Sequence, residues 1–89
     1  EPVLKLEGAL YWENRLMDRR TREIKEDGKA FVYNLDRCLL ELCKDMDVPI
    51  PVWMEKNTRE FARWRQTAFT REQFNEKTSF DRFQIRLSE

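Results

Sequence analysis

The sequence predicts an α+β domain: a small antiparallel or mixed sheet, an N-terminal hairpin plus a C-terminal strand, covered on one face by two helices in the order β-β-α-α-β. Three observations predict it. Residues 3–12, "VLKLEGALYW", alternate apolar and polar; residues 29–46 carry an apolar stripe at helical spacing; and the C-terminal "FDRFQIRLSE" alternates again. Glycine and proline are confined to Gly8, Gly28, Pro2, Pro49 and Pro51, so linkers are scarce and residues 1–89 are expected to form one domain.

In the first strand Leu4, Leu6, Leu10 and Trp12 share one face with Gly8, while Lys5 and Glu7 take the other. Asn14 in "ENR" tolerates left-handed backbone and suits a tight turn. "LMDRRTREI" then returns as a strand whose arginines suit an edge, which makes residues 3–24 a hairpin. After "KEDGK" the period changes. Phe31, Leu35, Cys38, Leu39, Leu42, Cys43 and Met46 line one side of a helix, with Arg37, Glu41, Lys44 and Asp45 opposite. Pro49 and Pro51 end it.

The stretch "NTREFARWRQTAF" (57–69) holds three arginines and three aromatic rings. Asn57, or Thr58 in competition, is the expected cap of a helix over 58–67, with Glu60 placed three residues on. Phe61 and Trp64 fall on one face, with Ala68 a further four along, and are expected to dock that helix. "TREQ" (70–73) opens a short turn that buries Phe74. In the closing strand Phe83, Ile85 and Leu87 alternate with Arg82, Gln84 and Arg86.

Seventeen basic and seventeen acidic residues cancel, so a nucleic-acid or anionic-membrane surface would have to be local. Histidine is absent, which removes the commonest general base and metal ligand. Cys38 and Cys43 are too few for a disulfide framework, are not spaced as CxxC, and both sit on the apolar stripe. They are expected to behave as small buried hydrophobes. "KEDG" and "KDMD" lack the ligand alternation of a calcium loop, and no phosphate-binding glycine loop or serine elbow is present. No enzyme, metal or cofactor chemistry is therefore expected. No apolar run approaches the roughly 18 residues of a membrane span, and no signal peptide is seen, so a cytoplasmic chain is expected.

The one candidate surface is the arginine-rich helix: Arg59, Arg63, Arg65 and Arg71 could contact phosphate, with Trp64 as a stacking face. Against this, rings on a buried stripe cannot stack, and the arginines could pair with Glu55, Glu60 and Glu72. Tyr11, Trp12, Tyr33 and Trp53 could line a small pocket or belong to the core. Binding to another protein, or self-association through an exposed edge strand, is the leading expectation. A nucleic-acid accessory role is the alternative.

Trp53, Asn57, Glu60 and Phe61, then Thr67, Phe69 and Phe74, then Phe80, Asp81 and Ile85 form a pattern of "N-x-x-E-F", "T-x-F-x-x-x-x-F" and "F-D-x-x-x-I". This pattern resembles a group of short, uncharacterised Gram-positive bacterial proteins. The likeness covers the C-terminal 40 residues well and the hairpin only in outline. It implies a whole-chain domain and a bacterial, cytoplasmic setting, and it implies no activity.

Overall fold

The computed structural model describes residues 2–88. Strands β1 (Val3–Trp12) and β2 (Arg15–Lys25) are followed by helices α1 (Phe31–Met46) and α2 (Glu55–Trp64). Strand β3 (Gln66–Thr70), a single 3-10 turn (Arg71–Gln73) and strand β4 (Arg82–Ser88) complete the chain. The sheet has four strands in the order β2-β1-β4-β3, and every pairing is antiparallel. Glu13 and Asn14 connect β1 to β2 with φ of 49° and 67°. A two-residue turn with both central φ positive matches the right-handed twist of the strands it joins.

Alternation sends Leu4, Leu6, Gly8 and Leu10 of β1 to the same side as Phe83 and Ile85 of β4 and Thr67 and Phe69 of β3. Against that side α1 buries Leu35, Cys38, Leu39, Leu42, Cys43 and Met46, and α2 buries Asn57 and Phe61. One apolar cluster results. Gly8 lets α1 approach: a Cβ there would meet Leu42 Cδ2 at 2.9 Å, and Met46 Sδ and Phe83 Cε1 at 3.0 Å. The other face of the sheet is covered by no helix and presents Lys5, Glu7, Ala9, Tyr11, Arg82, Gln84 and Arg86.

The two edges differ. On β2, Arg22 reaches across the helix-facing side to Asp45 at 2.9 Å and Glu41 at 3.3 Å. At β3, side chains already occupy the backbone. The Ala68 carbonyl accepts from Asn57 Nδ2 and Lys56 Nζ, each at 3.1 Å, and the Thr70 amide donates to Gln73 Oε1 at 3.2 Å.

Several expectations are corrected. The order is β-β-α-α-β-β: α2 stops at Trp64 instead of 67, and Ala68 lies on a strand. Arg65 ends the helix in left-handed conformation (φ 59°), its amide donating to the Phe61 carbonyl at 2.8 Å, and strand pairing starts one residue later. Over five residues, "QTAFT" reads equally as a last helical turn or a strand. Asn57 is not the cap. It is the third helical residue, and its Oδ1 accepts from the amide of Met54, the residue in the cap position. Trp64 is not core: it is 59% exposed, whereas Phe61 is 5% exposed. Helix α2 buries only Asn57 and Phe61, and Trp64, its last residue, stays outside that contact. Phe31 and Trp12 are likewise exposed. The hairpin, the edge position of β2, the stripe of α1 from Leu35 onward and the short turn ahead of buried Phe74 agree with expectation.

Candidate protein-docking groove

The four arginines singled out in the sequence do not form one cluster. Arg59 pairs with Glu55 one turn back at 2.8 Å, an exposed contact worth a few tenths of a kcal/mol, about 0.3–0.5. The Arg63 guanidinium stacks 5.4 Å above the Trp64 ring. Arg65 extends from the end of α2 with no carboxylate partner among the described residues. Arg71 lies elsewhere, 5.3 Å over the Trp12 ring and donating to the Thr78 carbonyl at 3.3 Å. Of the three glutamates considered as partners, Glu55 alone takes one of these arginines; the Glu60 carboxylate instead accepts from Thr67 Oγ1 at 2.7 Å.

Both thiols are buried, as expected. Desolvation pushes Cys38 up to about 11 despite the nearby Arg22 and Arg37, and Cys43 up to about 12. Such thiols stay protonated and are poor nucleophiles near neutrality. Among the described residues, no three His, Cys, Asp or Glu side chains gather where they could hold a metal ion.

A concavity of about 610 Å³ runs between α1 and α2. Its lining includes the buried Leu35, Leu39 and Phe61. The exposed Phe31, Val32, Tyr33, Ile50 and Trp53 line it as well, together with Ala62. Val32 is 74% exposed. Trp53 is pinned from several sides: its indole Nε1 donates to Thr58 Oγ1 at 2.8 Å, and its ring meets Phe61 and Phe69 edge-on at 6.1 and 5.7 Å. Arg65 and Asp36 are the charged residues of the lining.

Sequence reasoning reached Tyr33 and Trp53 as candidate pocket residues but not their neighbours. The available signals were Val32 and Tyr33, apolar residues off the helix stripe, and "VPIPVW", an apolar run that its prolines keep out of regular structure. Tyr11 and Trp12 do not join this groove.

An α+β fold with a solvent-open apolar groove is thus the class that the architecture defines. No protein-family model matches the chain, and no curated protein or solved structure matches it either. Among the described residues, no helix is long and apolar enough to cross a membrane.

Proposed function

We propose that this chain is a non-catalytic, cytoplasmic interaction domain of a bacterial cell, and that it docks an apolar, acid-flanked segment of another protein in the groove between α1 and α2. The observation that carries this is the groove itself: five large apolar side chains stand exposed around a floor of Leu35, Leu39 and Phe61. Contiguous apolar surface rimmed by polar residues is characteristic of docking sites, and an amphipathic helix laid into such a groove removes it from water. Arg65 at the α2 end of the groove has no carboxylate among the described residues, and Arg63 stands two residues before it, so an acidic flank on the incoming segment placed at that end, away from Asp36, would complete the pair.

The test uses two synthetic amphipathic helical peptides with identical leucine anchors, one flanked by glutamates and one by lysines, titrated into isotope-labelled protein. The acidic peptide should shift amide resonances of Val32, Tyr33, Trp53 and Ala62 and should bind about tenfold more tightly than the basic one. Val32→Asp should abolish binding and Arg65→Glu should reverse the preference. Equal binding of both peptides, or shifts confined to the β2 edge, would overturn the proposal. So would a concentration-dependent dimer, seen by light scattering, that Val32→Asp dissolves, since the groove would then receive a second copy of this chain.

A further inference from the structure

The uncovered face of the sheet has a chemistry unlike that of the groove. Rows across the strands are set by the register: Gln66, Arg86 and Glu7 in one, Ala68, Gln84, Ala9 and Arg19 in the next, then Thr70, Arg82 and Tyr11. In the middle row the short side chain of Ala9 lines a depression of about 300 Å³. Tyr11 borders it on one side; Glu7, Arg86 and Arg19 border it on the other. Arg86 holds Glu7 at 2.9 Å and Arg19 lies 4.0 Å from the same carboxylate, so one acid is shared by two guanidiniums. Arg82 stacks 4.1 Å from the Tyr11 ring centre, and its Nε, out of contact with solvent, donates to nothing among the described residues. Across this face Lys5, Arg19, Arg82 and Arg86 stand against Glu7 and Glu23, a local cationic excess in a chain of zero net charge.

We propose that this face is a binding surface for single-stranded nucleic acid. Arg19, Arg82 and Arg86 would take the phosphates, and the Tyr11–Arg82 stack would provide a planar platform for a base beside the Ala9 depression. The Gln66 and Gln84 amides there can donate to and accept from a base edge. A duplex keeps its base faces stacked on one another and so cannot lay a base on the Tyr11–Arg82 platform, which selects single strands. The surface is separate from the α1–α2 groove, on the opposite side of the sheet, and the proposal does not rest on protein docking. It also moves the nucleic-acid contact away from α2.

A fluorescein-labelled oligothymidine dodecamer, its RNA counterpart and a duplex of the same length, titrated by anisotropy from 0.05 to 0.3 M salt, test this. Neutralising about three phosphates of a single strand gives a log-log salt slope near −2. Arg82→Ala with Arg86→Ala should weaken binding at least about tenfold and flatten the slope by about 0.7 per residue removed. Gln84→Glu should weaken it without disturbing Glu7 or Tyr11, and guards against a folding defect in the arginine variants; circular dichroism checks each. Arg63→Ala with Arg65→Ala should change nothing. Absence of binding at the lowest salt, equal affinity for the duplex, or loss of binding in the Arg63/Arg65 variant alone would each overturn the proposal.

Discussion

Asn57 Nδ2 donates to Thr67 Oγ1 at 2.7 Å, joining α2 to β3 inside the core. The hydroxyl in turn donates to Glu60 Oε1 at 2.7 Å, and Asn57 Oδ1 accepts from Gln73 Nε2 and the Met54 amide, each at 2.9 Å. Gln73 in turn donates to the Val52 carbonyl at 3.0 Å. Asn57, Thr67 and Gln73 are all buried, so this network holds α2, β3 and the irregular Val52 segment in one arrangement. Buried polar groups with every partner present specify a unique packing; with one removed, they are costly.

Asn57→Ala should therefore destabilise the fold by about 3 kcal/mol, because it removes one of the two partners of the buried Gln73 amide group, the donor to Thr67 Oγ1 and the acceptor of the Met54 amide. Chemical denaturation measures this. A change under about 0.5 kcal/mol, the size typical of surface sites, would show the network to be dispensable.

The two rings of α2 should behave oppositely. Phe61→Ala should cost about 3–5 kcal/mol, and Trp64→Ala less than about 0.5 kcal/mol. Thermal and denaturant unfolding of both variants gives the comparison; similar losses would place Trp64 in the core after all.

Gly8→Ala should destabilise by about 1–3 kcal/mol, since the added methyl meets Leu42, Met46 and Phe83 at 3.0 Å or less. Leu39→Ala in the facing helix should cost about 2–5 kcal/mol. Glu41→Ala, which loses only a half-exposed contact to Arg22, should cost less than about 0.5 kcal/mol. Unfolding curves of the three variants rank them directly.

The cysteines should resist alkylation in the native state and react once the chain unfolds. Burial raises Cys38 from the ordinary 9.0 to about 11 and Cys43 to about 12. A raised thiol pKa favours folding fully below the unfolded value, and that contribution is lost as pH rises through the folded values. Stability should thus fall between about pH 9 and pH 12, and less steeply in a Cys38→Ala, Cys43→Ala variant. Rapid thiol labelling at neutral pH would contradict both expectations.

The parts legible in the sequence were those set by long, regular periodicity. The ten residues of β1 and sixteen of α1 repeat their patterns often enough to declare both type and buried side, and "ENR" declares its turn. β3 was not legible, because five residues carry too few repeats and Arg65 carries no glycine-like mark of its left-handed backbone. The role of Asn57 was hidden for another reason. Its partners Thr67 and Gln73 lie ten and sixteen residues away, so the local spacing to Glu60 suggested a cap that tertiary contacts overrule. The groove depends on how far apart two helices stand, which no residue pattern states. The four arginines were visible as types, but their separation depends on where β3 turns the chain.

The unequal edges of the sheet limit how copies of this chain could combine. Asn57, Lys56 and Gln73 hold the Ala68 carbonyl and the Thr70 amide of the five-residue β3, whereas on the eleven-residue β2 Arg37 takes the Lys25 carbonyl at the strand's last residue, so β2 is the more open edge. Two copies joined β2 to β2 would leave only the short, side-chain-hindered β3 edges, which favours a pair over a filament. Even that step meets resistance, because β2 carries Arg15, Arg19, Arg20, Arg22 and Lys25 against Asp18 and Glu23. In the folded chain edge-to-edge stacking is thus disfavoured on both sides, by side-chain hydrogen bonds at β3 and by repulsion between the cationic β2 strands.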